Sequence, residues 1–275
     1  MANQEIRIVV TAPTFGSPFH ISMIENFKKL FKPEEMVLRS VTGESDIQRE
    51  RLRLALEQTR PIALIAMDIR PDPDIISIYR AAKVPIVLLD EEAAGVSSIA
   101  IDNMKGGHIA GTYLISKGKK KLAIVSGRTK VKGGFNAEQR LKGFQQALRE
   151  KNLFIPQGGM VEVMQYSRED GLEVMPNLLT LGVDAVFCAA GDNCAQGLLS
   201  VARDRGVRIP EDVAIVGFDD LLIAQLSTPA LTTIRQPLKE MAQAAYTMVM
   251  LQRDEILNNP QKMLFQPELV IRKSA

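Results

Sequence analysis

The chain alternates short β-rich apolar runs with stretches of helical periodicity along its whole length, and this alternation constrains the fold more than any other feature. Ten runs read as strands: Ile6–Thr11, Met36–Ser40, Ile62–Met67, Ile86–Leu89, Ser98–Ile101, Leu122–Ser126, Gly159–Val163, Ala185–Ala189, Val213–Gly217 and Leu231–Ile234. Helical spacing falls between them. Ser17–Phe31 brings Phe19, Met23, Phe27, Leu30 and Phe31 near one face; Ser45–Gln58 opens on a start signal at Ser45. Lys105–Lys117 stops at Gly118, and Ala137–Lys151 carries Leu141, Phe144 and Leu148 at helical spacing. Ser167–Leu181, Asn193–Asp204 and Leu238–Asn258 complete the series. Strands alternating with helices predict parallel sheets covered by helices on both faces. So many strands strain one twisted open sheet, which seldom exceeds ~10. Two smaller doubly wound parallel sheets fit the α/β pattern better.

Several functional classes are excluded by what the chain lacks. Its 34 basic and 32 acidic residues leave a net charge of +2, which gives no global footprint for nucleic acid. Cys188 and Cys194 read as reduced core thiols, and the only histidines, His20 and His108, stand far from them in sequence. No metal or other cofactor is therefore expected. The first strand ends Thr11-Ala12-Pro13-Thr14-Phe15-Gly16, which is not the glycine pattern of a dinucleotide fold. There is no phosphate-binding P-loop and no nucleophile elbow at a strand end. These absences read as a non-enzyme. No apolar run approaches a membrane span and no secretory signal precedes the first strand. A cytoplasmic protein without membrane contact is expected.

Positive signals sit where strands end. The run Val213–Val216 stops at Gly217-Phe218-Asp219-Asp220, placing two carboxylates just past its carboxyl end. Open α/β sheets bind ligands at that end.

An ordered set of motifs is similar to the lactose/galactose repressor family of bacterial transcription regulators. It comprises Val84–Asp90, Ile101-Asp102-Asn103 with Gly106-Gly107, Tyr113-Leu114-Ile115 with Lys117-Gly118, Ala123–Gly127, Arg140–Phe144 and Phe187-Cys188 to Gly191-Asp192. Ile209–Val213, Gly217–Asp220, Thr228–Ile234 and a closing Pro267–Arg272 complete it. The resemblance implies a periplasmic-binding-protein-like core. Its two subdomains, residues 1–117 with 235–260 and 118–234 with 261–275, are joined by three crossings. They close on a small effector such as a sugar, a sugar derivative or a purine. It further implies a homodimer packed through Ser17–Phe31, Ser45–Gln58, Asn193–Asp204 and Leu222–Ser227. Operator DNA is bound through a helix-turn-helix head that normally precedes the first core strand. Here that strand starts near Ile6, so the head is expected to be absent and these 275 residues alone not to bind operator.

The resemblance also nominates site residues. Arg140 is implied to make a forked contact with the effector, which suits a planar guanidinium. Asp219 is implied to accept hydrogen bonds from it. Gln236 either contacts the effector or bonds backbone. Asp192 is a ligand contact or a helix cap; the Asn that precedes it in many members is Gly191 here, which removes one sugar ligand. Thr14 and Phe15 lie in the loop that the resemblance implies to line the cleft, and Phe15 offers a stacking face. Phe19 either stacks on the effector or belongs to helix core, and Tyr166 stacks or is a surface loop residue. The basic loop Arg128–Asn136 either faces an anionic effector or is solvated. A solute receptor for transport or signalling shares the fold and stands as the alternative.

Overall fold

A computed structural model describes residues 7–129, 134–253 and 259–275. Their elements in chain order begin β1 (Ile8–Ala12), α1 (Pro18–Phe27), β2 (Met36–Ser40), α2 (Ser45–Thr59), β3 (Ala63–Met67), α3 (Pro73–Ala81), β4 (Ile86–Leu89) and β5 (Ser97–Ile101). Then come α4 (Asn103–Ser116), β6 (Leu122–Ser126), α5 (Phe135–Arg149), β7 (Met160–Glu162), α6 (Arg168–Thr180), β8 (Ala185–Cys188), α7 (Asp192–Asp204) and β9 (Ala214–Asp219). The chain closes with α8 (Leu222–Leu226), β10 (Thr232–Arg235), α9 (Leu238–Arg253), β11 (Lys262–Phe265) and β12 (Glu268–Val270).

The chain divides into two compact units. The first comprises Met1–Ile101 and Pro237–Phe265, the second Asp102–Gln236 and Gln266–Ala275. The expected division after Lys117 differs from this one by a whole helix. α4 belongs with the second unit because it lies against α5 at glycine contacts. A side chain at Gly107 would overlap the Arg140 carbonyl, and one at Gly143 the Met104 carbonyl. Likewise β11 joins the first unit's sheet rather than the second's.

In the first unit six strands run in the order β11-β5-β4-β3-β1-β2, all parallel. Alternation along each strand sorts its side chains into two cores. Ile8, Val10, Ile65 and Met67 meet Met23 and Phe27 of α1 and Met241, Ala245 and Met248 of α9. Val9, Leu64 and Ala66 meet Leu52 and Ala55 of α2 and Ile75 and Tyr79 of α3. α3 is not among the expected elements: Pro71 and Pro73 and the β-branched run after them mask the i,i+4 pair Ile75 and Tyr79. Pro73 occupies the first helical turn, where a missing N–H costs nothing.

The second unit's sheet runs β12-β10-β9-β8-β6-β7. Strands β6 to β10 are parallel, while β12 adds an antiparallel edge to β10. Ala123, Val125, Val186, Cys188 and Ile215 face α6 and α7. Leu122, Ile124, Phe187, Val216 and Phe218 face α4 and α5. Both cysteines are buried thiols. Burial and the adjoining Cys194 push the Cys188 thiol well above its ordinary value. Gly118 ends α4 as expected, in the left-handed conformation at φ +80°.

Candidate functional site

Because β6, β8, β9 and β10 are parallel, their carboxyl ends lie along one edge of the second unit's sheet. The polar side chains nominated for that unit collect there. Arg140 reaches this edge from the first turns of α5. Its Nε donates to Asn103 Oδ1 (2.7 Å) and its Nη1 to the Ala189 carbonyl (2.9 Å), and its Cζ stands 3.6 Å from the Phe218 ring centroid. A guanidinium stacked on an aromatic face and tied at two nitrogens is held rigid. Phe218 fits beneath it because Gly106 has no side chain: a Cβ there would come within 2.9 Å of the ring.

Asp219 ends β9 with a positive φ of 104°. Its Oδ1 accepts from Gln236 Nε2 at 2.6 Å. Gln236 thus bonds a side chain, and its main-chain N–H also donates to the Asp219 carbonyl at 3.4 Å. The Gln236 Oε1 is buried without a hydrogen-bond partner among the described residues. A buried amide oxygen left so costs about 1–3 kcal/mol.

Asp192 is fully buried, and it neither caps a helix nor stands open to a ligand. The cap position of α7 is Gly191, at φ +103°. Asp192 Oδ2 accepts from the Leu221 main-chain N–H (2.7 Å) and Oδ1 from the Thr233 hydroxyl (2.6 Å). It thereby ties α7 to the loop after β9 and to β10. Burial, and next the Asp219 carboxylate, push Asp192 well above the ordinary carboxylate range, against the two donated bonds. Asp220 is also internal to the frame, paired with Arg235 (2.7 Å) and Arg272 (2.5 Å). Tyr166, at φ +58°, packs its ring against Gly127 just past β6.

Asn103, Phe218 and Ser126 also belong to this unit and are not among the nominated residues. Ser126 ends β6 fully buried, and its Oγ has no partner among the described residues. Its signal was available: a lone hydroxyl closing an otherwise apolar strand.

The remaining nominees lie in the first unit. Thr14 is exposed and its Oγ1 accepts from the Gly16 N–H (3.1 Å), which shapes the loop after β1. Phe15 and Phe19 are partly buried against the α1 and α9 core, and Phe19 sets its ring edge to His20. His20, set aside in the sequence reading, is buried in a polar chain. Its Nδ1 is 2.7 Å from Ser17 Oγ and its Nε2 is 2.8 Å from Asp68 Oδ2. A carboxylate only accepts, so Nε2–H donates to Asp68. The i,i+3 spacing of Ser17 and His20 at a helix start was the legible signal. The basic loop Arg128–Asn136 lies partly outside the described residues. Among the described residues no group of three or more His, Cys, Asp and Glu side chains is placed to hold a metal, and no helix is long and apolar enough to cross a membrane.

A family model for the periplasmic binding protein-like domain matches residues 112–275. The HTH-type transcriptional repressor PurR of Klebsiella pneumoniae (strain 342) is 29% identical over 282 residues, which cover 99% of this chain and 80% of that protein. PurR of Escherichia coli O1:K1 / APEC is 30% identical over the same length and coverage. Among solved structures, the transcriptional regulator CelR in complex with cellobiose matches with a TM-score of 0.81 at 25% identity, over 98% of this chain and 86% of that one. A LacI family regulator from Enterococcus faecium with bound ribose matches at 0.84 and 23% identity, over 98% of both chains, and shows the shared fold.

Proposed function

The chain belongs to the lactose/galactose repressor family, as an effector-binding core of periplasmic-binding-protein-like fold, and on that premise we propose that it senses a small metabolite through Arg140, Asp219 and Gln236. The observation that carries this reading is the convergence of those three side chains at one sheet edge, with Gln236 Oε1 unpartnered in a buried position. Guanidinium N–H groups donate, while Asp219 and the Gln236 oxygen accept. That combination suits a ligand with ring oxygens and hydroxyls or ring N–H groups. Sugars, sugar derivatives and purines have this character, and the CelR and Enterococcus faecium relatives hold cellobiose and ribose. Thr14, Phe15, Phe19 and Tyr166 are the nominees for shaping specificity.

The protein acts as a cytoplasmic regulator and not as an enzyme. The Ser17 hydroxyl that faces His20 caps α1, accepting the His20 main-chain N–H at 3.2 Å. A side chain so placed serves the helix. Effector binding biases a two-state equilibrium by differential affinity, and a helix-turn-helix module on operator DNA reads the shift. Membership of a repressor family weighs against the solute-receptor alternative.

Thermal shift against cellobiose, ribose and hypoxanthine, extended to other sugars and purines, tests the reading. A ligand present at 100 times its Kd stabilises by about 2.7 kcal/mol. Arg140→Ala and Asp219→Ala are each expected to weaken the hit by about tenfold to a hundredfold while remaining folded by circular dichroism. A hit that both variants bind at wild-type strength would place the site elsewhere.

The functional form is a homodimer. Ile21 on α1, Ile47 on α2, Leu38 on edge strand β2 and Leu222 and Leu226 on α8 are exposed, on or beside the helices that the family resemblance assigned to the interface. Ile47 is half exposed at 50%, so Ile47→Glu removes an interface contact without touching the core. Sedimentation velocity at tens of micromolar is expected to show a wild-type dimer and a mostly monomeric variant; a wild-type monomer would refute the assembly.

A further inference from the structure

The unpartnered polar atoms of the second unit divide by chemistry along the sheet edge, and the division deepens the proposed effector site by naming its ligand class. Past β10 stands an acceptor, Gln236 Oε1, beside the Asp219 carboxylate at the end of β9. At the end of β6 stands the Ser126 hydroxyl, and two residues on the Arg128 Nε, a donor, is buried with no acceptor among the described residues. Arg140 sits over Phe218, tied through Nε to Asn103 and through Nη1 to the Ala189 carbonyl. One side of the edge thus asks for donors and the other for an acceptor.

Strand order gives the distance. β8 lies between β9 and β6, and neighbouring strands are about 4.8 Å apart, so the Asp219 and Ser126 positions are separated by roughly 10 Å. A hexose or pentose carrying a phosphate spans such an interval with hydroxyls at one end and charge at the other. A buried guanidinium N–H is best satisfied by an oxyanion, which makes a charge-assisted bond. The acid at the end of β7 does not fill this role in the structure: Glu162 Oε1 accepts from the Thr129 N–H (3.2 Å) and hydroxyl.

The geometry points to a sugar phosphate as the effector class, with Gln236 and Asp219 reading hydroxyls and Ser126 and Arg128 reading the phosphate. This rests on the reading that the edge formed by β6, β8, β9 and β10 is the effector site.

Isothermal titration with matched pairs tests it: glucose against glucose 6-phosphate, fructose against fructose 6-phosphate, and ribose against ribose 5-phosphate, with inorganic phosphate as control. At least one phosphorylated sugar is expected to bind ten times or more tighter than its neutral partner and than phosphate alone. Arg128→Ala is expected to reduce that preference by about tenfold to a hundredfold, and Ser126→Ala to reduce it by less. A neutral sugar that binds as tightly as its phosphate, a preference that survives Arg128→Ala, or binding of inorganic phosphate alone at equal strength overturns the inference. So does silence from all three pairs. If cellobiose or hypoxanthine then binds and Arg140→Ala abolishes it, the effector site stands and only the phosphate assignment falls.

Discussion

Gly143→Ala is expected to lower the unfolding free energy by about 3 kcal/mol or more. The new methyl group would overlap the Met104 carbonyl and crowd the His108 N–H, at 2.9 Å. These are backbone atoms of α4, so no rotamer change relieves the clash and the two helices must separate. Overpacking against side chains usually costs about 1–3 kcal/mol because side chains yield; here the obstacle is a helix. A loss of that size lowers Tm by about 6–12 °C for a domain of this size. The reciprocal contact makes the same prediction for Gly107→Ala, whose methyl would overlap the Arg140 carbonyl. The two losses will not add, since helices already separated by one methyl accommodate the other. Arg140 lies one turn before Gly143 on α5, so the same variant is expected to weaken effector binding. Gly16→Ala is the control. It meets only Thr14 Oγ1, at an ordinary 3.5 Å, and should be near neutral. A Gly143→Ala protein that melts with the wild type in thermal denaturation would show that α4 and α5 do not cross so closely.

That crossing also explains where sequence reading succeeds and where it stops. Strands announced themselves because parallel strands buried on both faces are continuous apolar runs: Ile86–Leu89 and Leu122–Ser126 have the bounds that the residues implied. Gly106, Gly107, Gly111 and Gly143 carry no such signature. A glycine in a helical pattern reads as a weakness, and only the partner helix reveals it as a contact. The boundary was misplaced at Lys117 for that reason, since α4 joins the second unit through those glycines. β11 is short, and three of its four residues are exposed, so it gave little apolar signal. Arg140 and Asp219 were nominated through the resemblance and the structure sets both at the carboxyl edge. Asn103 and Asp68 were not, because a hydrogen-bond partner distant in sequence leaves no periodicity; Ser126, Ser17 and His20 did carry a local signal. Asp192 differs again: the resemblance left it a ligand contact or a helix cap, and burial shows its oxygens turned inward to Leu221 and Thr233.

Asp192→Ala is expected to cost about 2–4 kcal/mol at pH 5, with a gap from wild type that narrows as pH rises. Two buried donors lose their acceptor, the Leu221 N–H and the Thr233 hydroxyl. Each orphaned group costs about 1–3 kcal/mol. Gly217 keeps the space for this carboxylate, since a side chain there would overlap Asp192 Oδ1, and a methyl group in place of the carboxylate leaves that space unfilled. Against these losses stands one relief. Burial first, then Asp219, raise Asp192 well above its ordinary value, so the folded chain holds this proton more tightly than the unfolded chain does. A raised acid stabilises fully below its unfolded pKa, about 3.9, and its contribution is lost as pH rises toward the folded value. The wild type therefore loses this stability from about pH 4 upward, and a variant without the carboxyl group does not. Urea unfolding of both proteins at pH 5, 6.5 and 8 gives the sign. Asp192→Asn serves as the second variant, because it retains the volume and one acceptor while abolishing the titration. Its gap from wild type should narrow with pH in the same direction from a smaller starting value. A gap that widens between pH 5 and pH 8 in both variants would mean that Asp192 is held in the charged state by the fold, and that Asp219 does not disfavour its ionisation.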